Sequence, residues 1–136
     1  MLFRSRTDYV DYYLAHNVNV NTYESAKRLG TCEFIAEQKR AGRVRCMGFS
    51  FHDTADMLDR LLTEHPQVDF LQLQINWLDW SSPTIQSGKC YEVAKAHGKP
   101  VVVMEPIKGG TLANLPGRAA AELGRASCRE RVFRAV

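Results

Sequence analysis

The stretch Phe70–Trp77, FLQLQINW, decides how this chain is read. Phe70, Leu71, Leu73 and Ile75 suit a strand buried beneath helices. Gln72, Gln74 and Asn76 recur at every second position, so on a strand they share one face. A strand covered by helices on both sides has no place for three amides. A barrel strand has one, because its outward face meets helices while its inward face can turn polar near the C-terminal mouth. The parity therefore sends Leu71, Leu73 and Ile75 outward and Gln72, Gln74 and Asn76 inward.

The neighbouring segments repeat the pattern. YVDYYLAH (9–16), VRCMGFS (44–50), FLQLQIN (70–76) and PVVVME (100–105) read as strands. Three helices are expected between them. The first spans 22–41, is broken near Gly30, and is closed by Gly42. The second follows Asp53 as N-cap, packs Met57, Leu58, Leu61 and Leu62 on one side, and stops before Pro66. The third takes Ser82 as cap with Pro83 at its first position, and ends at Gly98. Strands joined through helices run parallel. The class is thus α/β, and the candidates are an open doubly wound sheet or a (β/α)8 barrel. No GxGxxG follows any strand, and the glutamines favour the barrel. Four strands and three helices make about half of one, since a full barrel takes about 250 residues. Half a barrel is expected to expose two strand edges.

The same parity brings polar groups to the mouth. In the first strand Val10, Tyr12, Leu14 and His16 point inward, with His16 and Asn17 at the end. Ser50, Phe51 and His52 end the second strand. Glu105 ends the fourth, Lys108–Gly110 form its loop, and Glu105 and Lys108 are candidates for an ion pair. Trp77 and Trp80 either line the mouth or pack a loop. His65 and His97 fall at helix C-termini, where an imidazolium suits the helix dipole.

Composition narrows the function classes. Of the 136 residues, 45% are hydrophobic, which suits a packed domain. The formal charge is +3, but Arg125, Arg129, Arg131 and Arg134 against Glu130 account for it. The rest of the chain is neutral, so no phosphate-backbone partner is expected. No apolar run is long enough to span a bilayer. The start, MLFRSRTDYV, lacks the apolar stretch of a signal peptide. Cys32, Cys46, Cys90 and Cys128 show no metal spacing and read as reduced thiols. A cytoplasmic location is expected, with neither nucleic acid nor membrane as partner.

HN after DYVDYYLA, GFSFHD, LQLQINWLDW and MEPIKGG, in this order and spacing, resemble the middle of an aldo-keto reductase. That family comprises (β/α)8 oxidoreductases that use NADPH to reduce small-molecule carbonyl substrates. The resemblance covers about residues 7–116 and corresponds to barrel strands four to seven. It implies that His16 is the catalytic histidine that orients and polarises the substrate carbonyl. It implies that Ser50 and Gln74 contact the nicotinamide carboxamide, for which an amide with both donor and acceptor is apt. Met104 stands where many members stack a tyrosine on the nicotinamide, and a thioether can cover a ring face. Lys108, Gly109 and Gly110 resemble a loop against the cofactor pyrophosphate. Phe51 replaces a frequent asparagine.

GFSFHD and EPIKGG look most like a bacterial branch that often carries a ferredoxin-like, four-cysteine C-terminal extension. An iron–sulfur cluster would belong to such a parent, and its ligands are absent here. The family's tyrosine acid, activating lysine and aspartate come from the first three strands, and nothing here replaces them. The expectation is a fragment that is inactive alone. Residues 117–136 are expected to be a tail outside the family, and GRASCRERV resembles the translated reading of a sequencing adaptor. Two other readings stay open. Another barrel enzyme, an aldolase or metal hydrolase, would need an interior lysine or clustered ligands such as HxH, and neither occurs. A non-catalytic fragment that docks with a partner chain is the other.

Overall fold

The computed structural model describes residues 7–114 and Gly117; the rest of the expected tail lies outside the described residues. Four parallel strands lie side by side in chain order: β1 (Val10–Val18), β2 (Val44–Phe51), β3 (Phe70–Gln74) and β4 (Val101–Met104). The crossovers are α1 (Val20–Arg28) with α2 (Thr31–Arg40), then α3 (Ala55–Glu64), then α4 (Ser87–Ala96). Strand order without reversal is the arrangement of a (β/α)8 barrel rather than of a doubly wound sheet with its switch point. The expected α/β class, part of a barrel, is the architecture found.

One face of the sheet forms the core. Ala15, Met47, Phe49, Phe51, Leu71, Leu73 and Ile75 pack there against Tyr23, Ile35, Leu58, Leu61, Leu62, Cys90 and Ala94 of the helices. Alternation then puts Tyr12, Leu14, His16, Ser50, Gln72, Gln74 and Met104 on the other face. Contacts on that second face reach over intervening strands. Ser50 Oγ of β2 lies 3.9 Å from Met104 Sδ of β4, with β3 between them. The rings of Tyr12 on β1 and Phe70 on β3 meet edge to face at 5.3 Å, with β2 between them. Strands two apart are separated by about 9–10 Å at the backbone. Side chains that bridge this gap on one face give it the inward curl of a barrel interior.

Gly48 makes this curl compact. A Cβ there would stand 2.7 Å from the Phe70 ring and 2.7 Å from the Phe70 carbonyl oxygen. Phe70 pairs with Gly48 in the ladder, so that oxygen cannot retreat. Gly48→Ala is expected to cost about 1–3 kcal/mol, read as a lower thermal midpoint.

Several helix boundaries differ from the sequence expectation. The first helix breaks at Gly30, which holds φ 65°, as expected, but it starts at Val20 rather than at residue 22. The cap of α3 is Thr54, whose hydroxyl accepts from Met57 N–H, not Asp53. Asp53 instead accepts from Val20 N–H at 2.6 Å and ties the β2–α3 loop to the start of α1. α4 begins at Ser87 rather than Pro83. Ser82 does cap one turn, accepting from Ile85 N–H, but Gln86 then adopts φ 55°. Its side-chain oxygen accepts from Ala55 N–H at 3.2 Å, which serves the N-terminus of α3. β3 also stops at Gln74, two residues early.

Candidate functional site

His16, Ser50, Gln74, Met104 and Lys108 lie at or just beyond the C-terminal ends of the strands, while His65 and His97 close α3 and α4 as expected. Pairing of β1 with β2 is regular to Ala15↔Phe49, then shifts before Val18↔Phe51. His16 and Asn17 occupy the shift. Asn17 takes φ 54°, a left-handed conformation that asparagine tolerates better than most residues. This bulge lets Ala15 and Val18 both stay buried while His16 and Asn17 are exposed. Bulges re-aim side chains in this way. No hydrogen bond joins the His16 side chain to the described residues.

Ser50 is 1% exposed. Its hydroxyl has a 3.4 Å contact with His52 Nε2 and the long contact with the Met104 sulfur. Both are weak for a buried hydroxyl. Gln74 sits opposite Met104 in the β3–β4 register, and Ser50 sits opposite Gln72. Ser50, Gln74 and Met104 are thus drawn onto one rim, with His16 on the adjoining strand.

One residue of this rim was not singled out in the sequence. Asp79, 3% exposed, collects three donors. Gln74 Nε2 donates to Oδ2 at 2.8 Å and Asn76 Nδ2 at 2.7 Å. Lys108 Nζ donates to Oδ1 at 2.6 Å and to Oδ2 at 2.8 Å. Lys108, a candidate partner for Glu105, pairs with Asp79 instead; Glu105 gives only backbone contacts, its carbonyl accepting from Lys108 N–H and from Asn76 Nδ2. Burial alone would raise the Asp79 pKa, but the bonds from Lys108, Asn76 and Gln74 outweigh it and hold the carboxyl below its ordinary value. Asn76 accepts from Leu78 N–H and Asp79 N–H, which turns the chain so that Asp79 faces back to β3. The spacing Asn76-x-x-Asp79 was the available signal: a turn-forming asparagine that continues the polar parity of the strand.

The loop after β4 is shaped by consecutive positive φ angles, 48° at Lys108, 60° at Gly109 and 97° at Gly110. Gly110 N–H bonds to Ile107 O. Gly109 and Gly110 have open space where a Cβ would stand, so backbone conformation, not crowding, selects glycine there.

Beside the rim lies a cavity of about 120 Å³ lined by His52, Asp53, Gln74, Ser87 and Cys90 among others. It is smaller than the ~300–1,000 Å³ usual for a cofactor. Burial, with Asp53 adding to it, pushes the Cys90 thiol up to about 11, so it is protonated near neutrality and is a poor nucleophile. Trp80 packs against Tyr91 at 5.7 Å, while Trp77 is exposed. Among the described residues no cluster of His, Cys, Asp and Glu could hold a metal, and Cys32, Cys46 and Cys90 are free thiols. No helix among the described residues is long and apolar enough to cross a membrane.

The rim therefore offers an exposed imidazole, an under-used hydroxyl, an amide whose oxygen remains an acceptor, and a thioether. That set can orient a planar polar ligand by hydrogen bonds. The sequence model for the Aldo/keto reductase family matches residues 1–127. No curated protein matches the chain.

Proposed function

The chain belongs to the aldo/keto reductase family, an oxidoreductase family, and from this we propose that its rim is the nicotinamide side of an NADPH-dependent carbonyl reductase site. The observation that carries the reading is Ser50, a buried hydroxyl on the concave face whose protein contacts leave its hydrogen-bonding capacity largely unspent. A carboxamide offers the donor and acceptor it lacks. Gln74 Nε2 is committed to Asp79, so Oε1 is the atom left to accept from the carboxamide nitrogen. Met104 covers a ring face. The backbone of Gly109 and Gly110, with Lys108, faces the pyrophosphate. The residues present fit such a cofactor on these grounds. When bound, NADPH supplies a hydride to a carbonyl carbon. His16 holds the carbonyl oxygen by a hydrogen bond and leaves the carbon open on the cofactor side.

The chain's tyrosines do not supply the proton. Tyr12 and Tyr13 lie in the first half of β1, Tyr9 precedes it, Tyr91 is on α4. Tyr23 is buried, with its hydroxyl on Glu64 and His65. Burial and the Glu64 carboxylate raise its pKa, away from acid catalysis at neutral pH. Residues 7–114 are therefore expected to bind cofactor without turning over. A cytoplasmic setting accords with the free thiols.

Nicotinamide fluorescence titration tests this reading. NADPH emission should change saturably with the chain, and Ser50→Ala should weaken binding about tenfold. Absence of any saturable change, or equal affinity in Ser50→Ala, would overturn it.

A further inference from the structure

We infer that Asp79 is a positioning residue that sets two cofactor-facing groups at once, the Gln74 amide of β3 and the Lys108 loop after β4; the cofactor-facing role of those groups rests on the reading above. The observation is a single buried carboxylate that spans two elements. Gln74 is an amide with a freely rotatable side chain, and either its oxygen or its nitrogen could face the rim. The bond from Nε2 to Asp79 Oδ2 at 2.8 Å selects the nitrogen for the protein side. The oxygen is thereby left for a ligand donor. A neutral or apolar residue at 79 would leave the flip unselected.

Lys108 is held by the same group at 2.6 Å and 2.8 Å. Its backbone sits in the left-handed region, a conformation that costs a non-glycine residue free energy and persists where the surroundings hold it; Gly109 and Gly110 take the same region freely. Three amide bonds measure whether the tie holds: Lys108 N–H to Glu105 O, Gly110 N–H to Ile107 O and Leu112 N–H to Ile107 O. The ion pair also neutralises Lys108. Asp79 thus gives up some attraction of Lys108 for phosphate in exchange for a fixed loop. Asn76, 1% exposed, completes the frame, since its amide joins Asp79 Oδ2 to the Glu105 carbonyl. Asp79 touches no reacting atom; it acts through Gln74 and Lys108.

Nitrogen-labelled full chain decides the matter by magnetic resonance. The side-chain amides of Gln74 and Asn76 should shift together in acid with one shared midpoint, below the ordinary range of a carboxylate. Asp79→Asn should abolish that shared titration and speed exchange of the Lys108, Gly110 and Leu112 amides about tenfold or more. Lys108→Met should speed the loop amides while leaving the Gln74 amide in its place. Separate midpoints for Gln74 and Asn76, or loop exchange unchanged in both variants, would overturn the proposal; if Asp79→Asn fails to fold, the wild-type titration and Lys108→Met still decide it. A chain that shows the shared titration and loop response yet never binds NADPH supports the frame around Asp79 and removes the nicotinamide reading alone. Where NADPH binds, Asp79→Asn should weaken it about tenfold, and tighter binding would mean that Asp79 competes with phosphate for Lys108 instead of placing it.

Discussion

Leu71→Ala will destabilise the chain by about 3–5 kcal/mol, while Gln72→Ala, one residue on, will change stability by less than about 0.5–1 kcal/mol. Leu71 is wholly buried in the core between sheet and helices. Its truncation removes apolar contact and leaves a cavity in a core whose other members, Leu58 and Leu61 among them, are themselves fully buried and have little room to close it. Gln72 lies on the opposite face and is partly exposed. Urea unfolding of the two variants measures the contrast directly. Equal costs would mean that the alternation along FLQLQ does not separate a helix-covered face from a concave one, and the barrel reading would lose its footing.

Asp79→Ala carries the second large effect. Its loss leaves Lys108 without a counter-charge and removes the acceptor for two amides. Breaking a buried pair from one side costs about 3–5 kcal/mol. Lys108 keeps 31% of its side chain exposed and can turn to water, so about 2–3 kcal/mol is the expected loss. The pH dependence has a definite sign. The folded-state pKa of Asp79 is lowered, so its contribution is present above the ordinary carboxylate range and is lost as pH falls through the folded value. Wild-type stability should therefore fall in acid more steeply than that of Asp79→Ala, and the difference between them should shrink towards low pH. A difference that stays constant down to strong acid would show that Asp79 contributes by shape rather than by charge.

The fold could be read from the sequence because alternation survives in four short strands. Leu71, Leu73 and Ile75 are buried with the helices as their spacing required. Helix starts were less legible, for reasons that lie in tertiary structure. Ser82-Pro83 has good capping chemistry, and it caps one turn. Continuation fails because Gln86 is recruited to Ala55 N–H, more than thirty residues back. Local signals at Ser82 carry no information about that demand. Asp53 and Thr54 likewise both suit an N-cap, and the contact with Val20 draws Asp53 away.

The candidate site was legible where it lies on strands. Ser50 and Gln74 follow from parity, and His16 from the strand end. Its bulge did not, because Asn17 with φ 54° is a backbone choice that the sequence permits without requiring. Asp79 escaped for a different reason. Its partners lie five, three and twenty-nine residues away, and the longest of these links exists only once β3 and β4 are side by side. Lys108, read alone, is a cation facing a phosphate; read beside Asp79 it is first a structural pin.

A backbone and side-chain resonance map of the labelled chain, with NADPH added stepwise, tests the shared rim most directly. The account predicts that the largest shifts fall together on His16, Ser50, Gln74 and the Lys108–Gly110 loop, with little change on α2 and α3. Shifts confined to the cavity around Ser87 and Cys90 or to the helical face, or no shifts at all, would contradict it.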